Sequence, residues 1–172
     1  LILTFKELRR RADQTTNFFK SRGVKKGDAV MLCLKGRWHF WTCVIALHKL
    51  GAIGVPATHM MQTKNVVYRL QKLGFKMILA AKEATLMANI KEAIAETGQD
   101  VQVACVDGPI DGWEDFNALV EKMPDTFQRP PKGSPEATTI REFILLYFTS
   151  GTTGFPKMIK FDHAYPLAHI TT

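Results

Sequence analysis

The chain has 172 residues, 46% of them hydrophobic and 23% charged, which is enough to bury one core and too apolar for a disordered segment. No apolar run approaches the roughly 18 residues a membrane helix needs, and no basic-then-apolar signal segment opens the chain. The net charge of +7 (23 basic against 16 acidic side chains) modestly favours an anionic ligand. Its cations are spread rather than interleaved with aromatics, so no nucleic-acid partner is expected.

Thr4-Phe5-Lys6-Glu7 reads as a capping box opening a helix with Phe5, Leu8, Ala12 and Phe19 on one face, stopped at Gly23. Ala29 to Leu34 is a buried strand. From Arg37 to Leu50 a helix is expected. It carries Trp38, Trp41, Ile45 and His48 on one side and Phe40, Cys43 and Leu47 on another, so it should be largely buried, with Trp38, Phe40 and Trp41 in the core. Gly51 ends it, and Ala52 to Val55 is a second strand closed by Pro56. Thr63 can cap a helix through Lys72, with Val66, Val67, Leu70 and Leu73 inward. Lys76 to Ala80 is a third strand, 85–97 an amphipathic helix, and Val101 to Val106 a fourth strand. Asp111-Gly112-Trp113-Glu114 reads as another cap, before Phe116, Leu119 and Val120.

This alternation implies an α/β fold, a mostly parallel sheet flanked by helices on both faces. Residues 1–172 read as a single α/β subdomain, within which 124–142 is a proline-rich loop and 143–161 a strand-loop-strand. Cys33, Cys43 and Cys105 are scattered in apolar stretches, so buried free thiols, a reducing compartment and a cytoplasmic location are expected. The five histidines lack metal-ligand spacing, and no metal site built from side chains is expected.

The chemistry concentrates in Phe148-Thr149-Ser150-Gly151-Thr152-Thr153-Gly154-Phe155-Pro156-Lys157, between apolar runs at 143–147 and 158–161. Gly151 and Gly154 allow close backbone approach to a ligand. Thr149, Ser150, Thr152 and Thr153 supply hydroxyls, successive N–H groups can form an anion nest, and Lys157 adds a positive charge. Together these suit a polyphosphate. A Walker A loop is excluded, because the second glycine comes too early and Phe155-Pro156 separates it from Lys157. Pro156 and the run after it favour an extended exit over a helix. Lys157 can face phosphate or brace the loop through its carbonyls, and the hydroxyls can also cap the turn locally.

This segment resembles the phosphate-binding signature of the adenylate-forming enzymes, roughly [YF]-T-S-G-T-T-G-x-P-K, and matches it from Phe148 to Lys157. That superfamily includes acyl-CoA synthetases, luciferases and peptide-synthetase adenylation domains. The stretches Gly23-Val24-Lys25-Lys26-Gly27-Asp28 and Leu47-His48-Lys49-Leu50-Gly51-Ala52-Ile53-Gly54-Val55-Pro56 are also similar to family segments. Ala57-Thr58-His59-Met60 and 162–170 resemble the medium-chain and acetyl-type acyl-CoA synthetases.

The resemblance implies part of that superfamily's N-terminal domain. It further implies ATP-dependent activation of a carboxylic acid to an acyl-adenylate, followed by transfer to CoA, with Mg2+ accompanying the ATP. Thr149, Ser150, Gly151, Thr152, Thr153, Gly154 and Lys157 would then bind nucleotide. His163 and Tyr165 are candidates for a substrate or nucleotide pocket, His163 being equally well read as a satisfied histidine at a helix start. His169 could line an acyl pocket with Tyr165. No catalytic residue is expected within these 172 residues. The start at Leu1 and the stop in an incipient helix suggest an excerpt whose remaining C-terminal part is its partner. The excerpt alone is expected not to turn over. A peptide-synthetase adenylation domain, or a non-catalytic nucleotide-binding module of the same fold, are the alternatives.

Overall fold

A computed structural model describes residues 3–149 and 156–170. Its elements in chain order are α1 (Phe5–Ser21), β1 (Ala29–Cys33), α2 (His39–Leu50), β2 (Ile53–Pro56), α3 (Thr63–Lys72), β3 (Phe75–Ala80) and α4 (Ala84–Thr97). They continue with β4 (Gln102–Cys105), β5 (Glu114–Asp115), α5 (Phe116–Val120), β6 (Phe143–Thr149), β7 (Lys157–Asp162) and α6 (Tyr165–Ala168).

One sheet holds the strands in the order β5-β4-β3-β1-β2-β6-β7. Every pairing is parallel except that of β6 with β7, which is a hairpin. The mostly parallel α/β sheet expected from the sequence is therefore the observed fold. The first five strands follow a 2-1-3-4-5 order, doubly wound about β1. The chain steps one way from β1 to β2, crosses back to β3 and continues outward. Right-handed crossovers then put α2 on one face and α3 with α4 on the other.

Apolar residues on both sides of each strand explain why the sheet is covered twice. In β1, Val30 and Leu32 point into a cluster with Phe18, Phe19, Leu47 and Phe116 from the α1, α2 and α5 side. Their neighbours Met31 and Cys33 point into a second cluster with Val66, Leu70, Leu86 and Ile90 from α3 and α4. Cys33, Cys43 and Cys105 are all buried free thiols, and burial pushes the Cys33 thiol up to about 12.

Several local expectations are corrected. Thr4 does cap α1, its Oγ1 accepting from the Glu7 N–H at 3.2 Å, but the Glu7 carboxylate turns forward to Arg10 and Arg11 at 2.7 Å instead of back to the cap. Two basic side chains one turn along outcompete a single N–H for that carboxylate. Phe5 is 93% exposed and Trp41 63% exposed, so neither belongs to the core. Both fall at helix starts, where the apolar stripe overruns the surface it covers. The N-cap of α3 is Gln62, whose N–H donates to Asn65 Oδ1 at 3.2 Å. Thr63 instead donates its hydroxyl to Glu92 on α4 at 2.6 Å. Asp115, not Asp111, caps α5 by accepting from the Ala118 N–H at 3.1 Å, with the two-residue strand β5 just before it.

The proline-rich segment 124–142 has no helix or strand and is tied to the body by side chains. Lys26 reaches the Ala137 carbonyl at 2.6 Å and Glu142 at 2.7 Å, and Asn17 donates to the carbonyl of Pro124 at 2.8 Å. These contacts fix where the chain enters β6.

Candidate functional site

β6 runs parallel to β2, with Gly54 opposite Leu145, so Thr149 comes out at the carboxyl edge of the sheet. That is the edge where open α/β sheets bind ligands. The chain returns in β7, and the extended exit expected after Pro156 is the observed one. Phe148 pairs with Met158 and Thr149 with Lys157, the ladder pair nearest the turn. Thr149 Oγ1 points at the Lys157 carbonyl, a long contact at 3.4 Å. Lys157 is exposed and makes no ion pair among the described residues. Ser150, Gly151, Thr152, Thr153 and Gly154 lie outside the described residues. The structure thus brings Thr149 and Lys157 together as the two ends of the signature segment.

His163 and Tyr165 do not join them. β7 leads six residues away from Lys157, and at ~3.3 Å per residue this sets His163 roughly 20 Å from it, at the opposite end of the hairpin. There the His163 N–H donates to the Glu142 carbonyl at 3.1 Å, and its ring meets that of His48 on α2. Burial lowers the His163 pKa, opposed by Glu142 and Asp162 and assisted by Arg129. Tyr165 meets Phe161 at a tilt, with ring centroids 4.1 Å apart, and Phe161 meets Tyr147 edge to face at 5.7 Å, a row of aromatics along one face of the hairpin. His169 closes that row against Tyr165 at 4.6 Å.

Sequence patterning missed two residues beside the segment. The helical stripe of α3 assigned Val66, Val67 and Leu70 to the core and left Tyr68 and Arg69 unassigned. In the structure the Tyr68 hydroxyl donates to the Pro156 carbonyl at 3.0 Å, and its ring stands edge-on to Phe148 at 6.2 Å. The Arg69 guanidinium lies 4.8 Å from the Phe148 ring centroid with only 8% of the residue exposed. Its Nη1 donates to the Asn65 carbonyl at 2.9 Å, while its Nε is buried without a hydrogen-bond partner among the described residues. Burial lowers its pKa. An arginine inside an otherwise apolar helix face was the available signal.

Other crevices fit a ligand less well. At the switch point between β1 and β3, the charges pair among themselves: Arg37 with Asp107 at 2.7 Å and Lys35 with Glu83 at 2.8 Å. A cavity of about 770 Å³ lies at the opposite, amino edge of the sheet, lined by Lys20, Lys25, Lys26, Lys49 and the proline-rich segment. Among the described residues no group of three or more His, Cys, Asp or Glu could hold a metal ion, and no helix is long and apolar enough to cross a membrane.

With this geometry in place, likeness to known proteins adds an independent line. The family profile described as AMP-binding enzyme matches residues 2–172. Human mitochondrial acyl-coenzyme A synthetase ACSM2B is 29% identical over 167 residues, covering 96% of this chain and 27% of that protein. Human mitochondrial ACSM1 is 30% identical over 171 residues, covering 95% and 27%. A crystal structure of the anthranilate CoA ligase AuaEII in complex with anthranoyl-AMP superposes with a TM-score of 0.83 at 25% identity, covering 96% of this chain and 31% of that one. The sheet matches part of the N-terminal domain of adenylate-forming enzymes. The chain spans about 27% of the length of these curated relatives.

Proposed function

The chain belongs to the AMP-binding enzyme family, and on that premise we propose that it carries the phosphate-gripping part of an acyl-CoA synthetase. In the full-length polypeptide, a carboxylate oxygen attacks the α-phosphorus of ATP, forming an acyl-adenylate and expelling pyrophosphate. The thiol of CoA then attacks the acyl carbonyl and AMP leaves. The segment from Thr149 to Lys157 holds the pyrophosphate as its negative charge develops, because donors fixed in advance stabilise such charge best.

One observation carries this reading. The Thr149–Lys157 pair closes the base of a segment rich in hydroxyls and glycine at the carboxyl edge of a parallel sheet, with a lysine at its exit that makes no ion pair among the described residues. Mg2+ would accompany the nucleotide phosphates.

The test is pyrophosphate exchange into ATP by the full-length polypeptide against a panel of carboxylic acids. Exchange that depends on a carboxylate, followed by AMP release on adding CoA, supports the proposal. Absence of exchange with every acid overturns it in favour of a binding module. Exchange with amino acids alone, without AMP release to CoA, points to the peptide-synthetase type.

A further inference from the structure

The nucleotide reading leaves unexplained what holds the two ends of the signature segment apart at a fixed distance. The ladder accounts for Thr149 and Lys157 but not for the residues flanking them. Phe148 on one strand and Pro156 before the other both contact α3, and they do so through two consecutive residues. Consecutive helical residues diverge by about 100° around the axis, so Tyr68 and Arg69 reach different targets from one turn. Pro156 stands one residue beyond the Thr149–Lys157 pair, and its carbonyl accepts from the Tyr68 hydroxyl at 3.0 Å.

Arg69 is the more telling of the two. It is 8% exposed and forms no ion pair among the described residues. A buried guanidinium without an acid is costly, and a leucine or methionine would fill the same space at less expense. What the arginine adds is a planar cation laid against the ring of Phe148 and a bond to the Asn65 carbonyl. It also places a positive charge beside the end of β6, where anionic phosphate is to be held.

We infer that Tyr68 and Arg69 are positioning residues of the nucleotide site: from α3 they clamp Phe148 and Pro156, the two feet of the phosphate-binding segment, and so set its span. The inference rests on the nucleotide reading above. It requires that Tyr68→Phe, which removes a single oxygen, weaken the handling of ATP without altering that of the acid.

The experiment compares wild type, Tyr68→Phe, Arg69→Lys and Arg69→Met in the full-length polypeptide. It measures KM for ATP and for the carboxylate in pyrophosphate exchange, and amide hydrogen exchange over residues 148–157. Loss of one neutral hydrogen bond corresponds to about a fivefold rise in KM for ATP in Tyr68→Phe, with KM for the carboxylate unchanged and faster amide exchange across the segment. Arg69→Lys keeps the charge but not the plane and falls between wild type and Arg69→Met. An active enzyme in which Tyr68→Phe and Arg69→Lys both leave KM for ATP at the wild-type value overturns the inference, whatever amide exchange shows. If the wild type exchanges no pyrophosphate, the nucleotide reading fails, and amide exchange alone decides the clamp. Faster exchange in Tyr68→Phe then upholds the clamp as a structural contact without a nucleotide role, and unchanged exchange ends it.

Discussion

His48 on α2 and His163 after β7 meet edge to face, with ring centroids 5.8 Å apart and the Nε2 of each buried without a hydrogen-bond partner among the described residues. The pair joins the helical layer to the far end of the hairpin that carries the signature segment. Burial, and then the neighbouring His163, push the His48 pKa from its ordinary 6.5 down to about 4. A base with a depressed pKa in the folded state binds fewer protons there than when unfolded, so folding stability falls as pH falls. The loss begins near pH 6.5 and continues to about pH 4. Thermal unfolding of wild type and His48→Gln between pH 7.5 and 4.5 is the check, and the variant is expected to lose less of its midpoint on acidification. Equal slopes would mean that other groups dominate acid unfolding.

Lys157 is exposed at the exit of the signature segment and makes no ion pair among the described residues. Its replacement by alanine in the full-length polypeptide should lower the rate of carboxylate-dependent pyrophosphate exchange by about 100-fold, the usual effect of losing one donor to a developing oxyanion. The midpoint of thermal unfolding should stay put, because the ammonium has no structural partner among the described residues. If both rate and midpoint are unchanged, Lys157 is only a solvated side chain.

Gly51 and Gly98 both end helices in the left-handed region, with φ of +71° and +64°. Their surroundings differ. A methyl group on Gly51 would run into Thr138 of the proline-rich segment and crowd Lys26, whereas one on Gly98 meets nothing within 4 Å. Gly98→Ala should therefore cost about 1 kcal/mol of backbone strain, and Gly51→Ala about 2–4 kcal/mol, strain and overpacking combined. Urea unfolding of the two variants measures the difference, and equal costs would show that the proline-rich segment yields freely.

Phe18 is fully buried and meets Phe116 edge to face at 5.1 Å, which fastens α1 to α5 over the sheet. Phe18→Ala should cost roughly 3–5 kcal/mol by leaving a cavity in the first core cluster. Denaturant unfolding monitored by far-ultraviolet circular dichroism checks it. A cost under about 1 kcal/mol would mean that α1 packs independently of that cluster.

Much of this architecture could be read from residue order, because strands buried on both faces leave continuous apolar runs such as Ala29 to Leu34, and amphipathic helices leave stripes such as Val66, Val67 and Leu70. The hairpin flanking the signature was legible for the same reason. Periodicity reports that a face is apolar, not how far its covering extends, which is why Trp41, expected in the core, lies outside it, and why Phe5 is exposed at the end of its apolar stripe. It is equally blind to two-residue strands such as β5, whose existence depends on a neighbour, β4. The arginine within the apolar stripe of α3 marked the place, but the contacts of Tyr68 and Arg69 could not be read, because Phe148 and Pro156 lie some eighty residues further along the chain. The separation of His163 from Lys157 follows from 157–162 forming one continuous strand, a fact about the strand and not about either residue.

The two margins of the sheet are unlike. β5 offers only two residues, too few to template another strand, while β7 presents six with its outer backbone groups paired to nothing among the described residues. Further strands can therefore be added on the β7 side alone. Lys157 and Lys160 along that margin disfavour pairing with another copy of the same edge.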